Sequence, residues 1–404
     1  MAPPTIPSVP IYLDHAATTP LRPEALEAML PFLGGDFGNP SSPHSFGRRA
    51  RAALDEAHER IAAQINAGPR EIVITSGGTE ALNLALKGAA WAGKARGHRI
   101  VTSAVEQHAV LHALQQLEKF GFEIIDLPVD RYGRVDPDHV AAAINERTTV
   151  VAIQLANNEV GTLQPVAKIG AIVREKGPKS CLFVVDAVAA AAWLPIDVDA
   201  LSCDLLALAG HKLDGPKGVG ALYVRRGTHI LAQQQGGTQE RYRRAGTEDV
   251  AGAVGMGIAF ELAVAERDAS VKRVKRLRDR LRAAVLAEDG VELTGHPRER
   301  IPNLLSVVVG EAEGAAIVVK LDLEGVAGSV GSACTTGSTE PSHVLTALGY
   351  PDDEARGSLR LSLGRTTTDA EIDEAVEIVP RVIAGSREGA AVLAADPLGQ
   401  AVAT

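Results

Sequence analysis

Asp204-Leu-Leu-Ala-Leu-Ala-Gly-His-Lys-Leu-Asp-Gly-Pro-Lys-Gly-Val-Gly220 is an apolar run that breaks into a turn rich in glycine and proline. The run reads as a buried strand and the stretch after it as a turn. Lys212 therefore stands at a strand's carboxyl end, partly withdrawn from water. Desolvation lowers an amine's pKa toward the neutral, nucleophilic form. A lysine so placed forms a Schiff base readily with an aldehyde cofactor, of which pyridoxal phosphate (PLP) is the leading candidate. The plainer reading is a surface lysine in a loop, and the rest of the chain decides between the two.

Outward from this stretch, short apolar runs alternate with helical patterns between about residues 70 and 225. The expected strands are Glu71–Thr75, Arg99–Thr102, Glu123–Leu127, Thr149–Leu155, Leu182–Asp186, Leu205–Ala209 and Val219–Val224. Helix-like segments such as Glu80–Trp91, Ala109–Lys119 and Pro137–Asn145 lie between several of them. That alternation implies an α/β fold: a mostly parallel, seven-stranded sheet with helices on both faces. Ligands then belong at the carboxyl ends of the strands.

The texture changes after residue 250. Val274, Leu277, Leu281 and Val285 recur at helical spacing in a segment rich in Lys and Arg, which predicts a long amphipathic helix with a solvated basic face. Asn303–Val309 reads as a strand, and Ala316–Leu323 and Leu359–Leu363 as segments able to pair with it. Helical patterns at Ser342–Leu348 and Asp369–Ala384 complete a smaller α/β unit. The expected division is a large domain over 21–256 and a small domain from 1–20 and 257–404. Its Ala/Gly-rich tail is expected to fray from about 385.

At 404 residues the chain exceeds one ordinary core. Its 46% hydrophobic and 23% charged residues are those of a globular enzyme. A net charge of −9 argues against a general nucleic-acid binder. The cysteines Cys181, Cys203 and Cys334 have no metal-ligand spacing, and no metal site is expected. Cys181 and Cys203 read as small core residues, and so sparse a set fits a reducing compartment. No apolar stretch is long enough to span a bilayer, and the N-terminal residues lack the pattern of a signal peptide. The cytoplasm is the expected location, with neither membrane nor direct nucleic-acid contact.

Three further features surround Lys212. Glu71-Ile-Val-Ile-Thr-Ser-Gly-Gly-Thr-Glu80 is strand, glycine turn and helix start. Gly77 and Gly78 let the backbone approach an anion, and Thr79 adds a hydroxyl where the helix N-terminus favours phosphate. Such a turn also occurs simply as a connector. Asp186 ends Leu182-Phe-Val-Val-Asp186, where it would keep a PLP ring nitrogen protonated or, alternatively, cap a helix. Arg360, in Leu359-Arg-Leu-Ser-Leu-Gly-Arg365, faces inward and suits either a substrate carboxylate or a structural salt bridge. Cys334 differs from the other cysteines: Gly331-Ser-Ala-Cys-Thr-Thr-Gly-Ser338 surrounds it with small polar residues that suit an exposed, reactive thiol.

With these residues in view, the chain resembles the cysteine desulfurases of the NifS/IscS type, in the class V aminotransferase family of PLP fold-type I. Matching segments include Tyr12-Leu-Asp-His-Ala-Ala-Thr-Thr-Pro20, Phe37-Gly-Asn-Pro-Ser-Ser42, Asn157-Asn-Glu-Val-Gly161, Gly210-His-Lys212, Arg244-Ala-Gly-Thr247 and Leu359–Arg365. The most specific is Gly331-Ser-Ala-Cys334-Thr followed by Glu340-Pro-Ser-His-Val-Leu345, similar to the long cysteine loop of the group I enzymes. The resemblance implies that Lys212 carries PLP and moves protons, that Asp186 pairs with the pyridine nitrogen, and that Asn158 lies near the ring oxygen and the substrate. It places Gln107 against the ring, and Gly78, Thr79 and His211 at the phosphate. Thr247 reaches that phosphate from the second subunit of a homodimer. Arg360 holds the carboxylate of L-cysteine. The Cys334 thiolate takes the substrate sulfur, alanine leaves, and the persulfide passes to an acceptor protein for Fe–S clusters, thio-cofactors or tRNA thiolation.

Four positions depart from the family pattern. Gln107 stands where histidine is usual, Ala189 where glutamine is, Ala209 where serine is, and His15 where asparagine is common. Glutamine stacks and hydrogen-bonds but exchanges no protons near neutral pH. His108, one residue on, is expected to point elsewhere. Beside the desulfurase reading stand a PLP-dependent cysteine or cystine C–S lyase, a selenocysteine lyase or another class V enzyme. A dimer that has lost efficient chemistry is a third reading. Cys334 separates the first from the second, because a lyase releasing sulfide needs no such cysteine.

Overall fold

The structure, a computed structural model, describes residues 10–331 and 341–395, with side chains described as far as residue 387. Twelve strands occur among them: β1 (Ile11–Tyr12), β2 (Ile72–Thr75), β3 (Arg99–Ser103), β4 (Glu123–Leu127), β5 (Thr148–Gln154), β6 (Leu182–Asp186), β7 (Leu205–Ala209), β8 (Gly220–Val224), β9 (Val291–Leu293), β10 (Leu304–Val309), β11 (Val326–Ala327) and β12 (Ser358–Ser362). Seven form the central sheet in the order β2-β8-β7-β6-β5-β3-β4. The neighbours from β7 through β4 run parallel, whereas β8 pairs antiparallel with both β2 and β7.

The strands read as unbroken apolar runs because both faces are covered. Successive residues go to opposite sides: Val151, Ile153, Phe183, Val185, Leu206 and Leu208 join one core, and Val150, Ala152, Val184, Leu205 and Ala207 the other. Cys181 and Cys203 lie in the first of these cores, and burial pushes both thiols up to about 12.

A second, smaller sheet has the order β12-β10-β9, all antiparallel. It packs with the helices Arg267–Val285 and Asp369–Ala395 around a separate core. Val274, Leu277, Leu281 and Val285 are buried there, as their spacing predicts. The chain's first described residues join this unit, since β1 pairs with β11 and Asp14 bridges to Ser362.

One expectation fails here. Ala316–Leu323 is no strand but part of the helix Gly314–Leu323. Its β-branched residues suggest a strand, yet Ile317 and Leu321 are buried four apart while Val319 and Leu323 face solvent, which is a helical period. The last helix spans Asp369–Ala395. β9 and the helices Pro23–Leu33, Ser45–Ala63, Val166–Lys176 and Val250–Ala265 were not anticipated.

Candidate active site

At the carboxyl ends of β5, β6 and β7 lies a cavity of about 270 Å³. Gly78, Thr79, Gln107, Asn158, Asp186, His211, Lys212 and Arg360 all line it. Of the residues singled out from sequence, Thr247 is exposed and outside this lining, and Cys334 lies outside the described residues.

Each member is delivered by the end of an element. β7 stops at Ala209, and the chain makes one short turn, Gly210–Lys212, before going back as β8. Lys212 Nζ donates to the carbonyls of Ala16 and Ala17, the latter at 2.7 Å. These alanines form a wall that sequence reading did not anticipate. Asp186, the last residue of β6, accepts the Val188 N–H at 2.9 Å in the turn that follows, and since no helix begins there it is not the helix cap of the alternative reading. Burial raises its pKa to about 6, against the lowering pull of that N–H and of Lys212. A buried carboxyl held this far up gains from a cationic partner in the cavity.

Opposite, the helix Gly78–Gly93 points its N-terminus at the cavity. Its first turn carries N–H groups with no partner inside the helix. Two contacts make glycine necessary: a Cβ on Gly78 would meet Val188 Cγ2 at 2.8 Å, and one on Gly220 would meet the Gly77 carbonyl carbon at 2.6 Å. Beside this turn, His211 Nδ1 lies 3.2 Å from the Thr18 hydroxyl. Burial, with Lys212 and Lys217, lowers the His211 pKa to about 4, so the ring is neutral near pH 7.

Arg360 comes from β12 in the other sheet and is buried. Its Nη1 donates to the carbonyls of Asn158, at 3.0 Å, and of Gly331, and its Nη2 meets Asp14 at 3.0 Å. The ion pair is the structural salt bridge of one sequence reading, and the guanidinium also lines the cavity, where the other reading needs it.

The departures from the family pattern fall on the wall. Ala189 and Ala209 line the cavity, and Gln107 caps the helix His108–Glu118 by accepting the Ala109 N–H. His15 is buried behind the wall, edge-on to Tyr12 at 4.9 Å. Burial and nearby Arg365 lower its pKa to about 4. His108 corrects an expectation, because it lines the cavity instead of pointing away. As the first residue of a helix capped by Gln107, it is turned inward by the cap, which adjacency in sequence does not reveal. Glu106 and Glu159 also escaped notice. Glu159 lines the cavity, and Glu106 is fully buried with its pKa pushed up to about 8 by that burial. Among the described residues no cluster of His, Cys, Asp or Glu has metal-holding geometry.

Residues 11–375 match the profile of the Aminotransferase class-V family. The chain is 47% identical over 373 residues to a cysteine desulfurase IscS of Methanosarcina thermophila, covering 92% of each protein. A solved NifS-like protein superposes with a TM-score of 0.88 at 34% identity, over 93% of this chain and 100% of that one. A structure titled "SspA in complex with cysteine" follows with a TM-score of 0.77 and 33% identity, over 87% of this chain and 98% of the other. With a family profile spanning most of its length and relatives alike from end to end, the chain belongs to the class-V aminotransferase family, in its IscS/NifS group.

Proposed function

We propose that the protein is a PLP-dependent cysteine desulfurase, which converts L-cysteine to L-alanine and leaves the sulfur as a persulfide on Cys334. The observation that carries this reading is the meeting in one cavity of a strand-end lysine, a buried aspartate, a helix N-terminus and an inward arginine. The relatives' names support the substrate.

The residues present suit PLP. The glycine-cleared helix start, with Gly78 and Thr79, offers N–H groups and a hydroxyl to a phosphate, and neutral His211 adds a donor beside them. Asp186, raised to about 6 by burial, fits a pyridinium N–H that would stabilise its charged form. When bound, the cofactor supplies an electron sink for the carbon from which the substrate proton departs.

This chain's residues then do the following. Lys212 holds the cofactor and moves the proton of the substrate Cα at its Nζ. Asp186 keeps the ring nitrogen protonated, while Asn158 and Gln107 orient the ring. Arg360 grips the substrate carboxylate and so places the sulfur. In the net reaction the Cβ–S bond of cysteine and the S–H bond of Cys334 break as an S–S and a Cβ–H bond form. The carbon is reduced and the sulfur oxidised, so no outside oxidant is needed.

The same proposal includes a homodimer in which Thr247 reaches the partner's phosphate site. Thr247 is exposed and lies outside its own chain's cavity lining, so its hydroxyl is accessible to a second copy. It also includes a sulfur-acceptor protein, and the division into a domain over 21–256 and another over 1–20 and 257–404. No helix among the described residues is long and apolar enough to cross a membrane, which accords with a cytoplasmic enzyme.

The test is incubation of purified, PLP-loaded protein with L-cysteine, measuring alanine and protein persulfide together. The first turnover is expected to give equal amounts of the two, with the extra sulfur on Cys334 by mass spectrometry. Pyruvate or free sulfide without a protein persulfide would favour a C–S lyase instead.

A further inference from the structure

Three imidazoles touch on the cavity wall beside Gln107. The ring of His108 lies 4.7 Å from that of His343 and 5.1 Å from that of His112. His108 lines the cavity, and together with His112 it also lines a groove on the outer side of the helix. His112 is exposed to solvent. His343 is fixed from the other side, with Nε2 2.9 Å from the Glu106 carbonyl. A proton on that Nε2 leaves Nδ1 of the neutral ring as an acceptor. The next residue back, Ser342, donates to Glu159 of the cavity lining at 2.6 Å, so the start of the helix His343–Ala347 is pinned to this wall at two points.

A packed histidine cluster is often no more than structure. Here it spans the distance from cavity to solvent, and it does so where the ring-facing position, Gln107, holds an amide. An amide moves no proton near neutral pH, whereas an imidazole moves one readily.

We propose that His108 is the proton-exchanging side chain of this active site, taking up a thiol proton at the cavity wall, and that His343 and His112 connect it to solvent. The inference rests on the desulfurase reading. One S–H proton is given up as the S–S bond forms, and one proton is gained at carbon as the C–S bond breaks. His108 accepts the first, the site delivers the second, and the relay exchanges protons without net consumption. The groups facing His108 are His112 on its own helix and His343. Across the cavity stand Asp186 and Glu159 of one sign, and Lys212 and Arg360 of the other. Burial, then the charge of His343 and His112, holds His108 below the ordinary histidine pKa, so it is neutral and able to accept a proton near pH 7.

Two measurements test this. In the PLP-loaded enzyme, kcat/KM for alanine formation is followed against pH in the wild type and in His108→Gln, with cofactor absorbance as the check on loading. The variant is expected to lose about 10²–10⁴-fold and the acidic limb of its profile, and to recover partly with added imidazole in proportion to its neutral form. In the cofactor-free protein, histidine Cε1–H resonances are titrated by NMR. His108 is expected to titrate below a free histidine and to move upward in His343→Gln, which removes the repulsion that His343 exerts whenever it carries the relayed proton. A loaded His108→Gln enzyme with the wild-type rate and profile, or a His108 resonance indifferent to His343→Gln, would overturn the proposal. A wild type that makes no alanine from cysteine would instead sink the desulfurase reading beneath it.

Discussion

Asp186 closes a strand that is buried along nearly its whole length, and ionising it there is costly. Its carboxyl is raised from 3.8 to about 6, chiefly by burial, and Glu106 is displaced in the same direction. The sign follows from proton counts. Between those two values the unfolded chain has lost the Asp186 proton while the folded chain keeps it, so stability falls as pH rises. Above about 6 the whole penalty is present, roughly 3 kcal/mol at 1.36 kcal/mol per unit. Cofactor-free protein is therefore expected to be less stable at pH 8 than at pH 5 in urea unfolding. Asp186→Asn should recover roughly 1–3 kcal/mol at pH 8 while still accepting the Val188 N–H. The same variant should bind PLP poorly, because in the proposed function this buried carboxylate is the group that would pair with the ring nitrogen. A variant no more stable than the wild type at pH 8 would show that Asp186 is solvated well enough to ionise freely.

At the level of elements, the phosphate-facing turn depends on two close approaches of different kinds. Gly78 clears the Val188 side chain, whereas Gly220 of β8 clears the backbone of Gly77. A side chain is able to give way and a carbonyl carbon in a tight turn is not. Gly78→Ala is thus expected to weaken PLP binding about tenfold or more, and Val188→Ala in the same chain to restore most of it. Gly220→Ala should lower PLP affinity and thermal stability together, and Val188→Ala should not rescue it. Equilibrium dialysis of PLP and thermal melts of the four variants check this, and a rescue of Gly220→Ala would refute it. Sequence showed the glycine turn because strand, Gly-Gly and helix start are local signals. It did not show which glycine faces which neighbour, since Val188, just after β6, and Gly220, at the start of β8, are more than a hundred residues away in sequence. The same limit explains the rest. The large sheet was legible because its strands are buried on both faces and read as apolar runs. Lys212 and Asp186 were legible as strand ends. Gly314–Leu323 was misread because β-branched residues outweighed a buried face of only two side chains, Ile317 and Leu321. His108 was expected to point elsewhere because its place at the start of a helix capped by Gln107 is not visible from adjacency in sequence.

On the whole molecule, one apolar face is exposed among the described residues. Leu26, Leu30 and Leu33 share one side of the helix Pro23–Leu33, while Ala25 on its other side is buried. Leu33 is 64% exposed and Phe37 73%, and Phe37 meets the exposed Phe46 ring at 5.5 Å. Large apolar side chains grouped on a protein surface mark a contact site. The proposed homodimer gives it an occupant, a second copy, and Thr247 gives the dimer a consequence for chemistry. Light scattering is expected to give about twice 42.2 kDa for the PLP-loaded protein. Leu33→Asp with Phe37→Asp should shift it toward monomer. Cofactor affinity should fall with it, because each phosphate site would lose the hydroxyl contributed by the other chain. Thr247→Ala separates the two effects: it should leave the dimer intact and weaken PLP binding by roughly 5–100-fold, the worth of one hydrogen bond to a charged group at about 1–3 kcal/mol. A charged double variant that becomes monomeric yet binds PLP as tightly as the wild type would show that each subunit completes its own site, and that Thr247 serves the fold of its own loop.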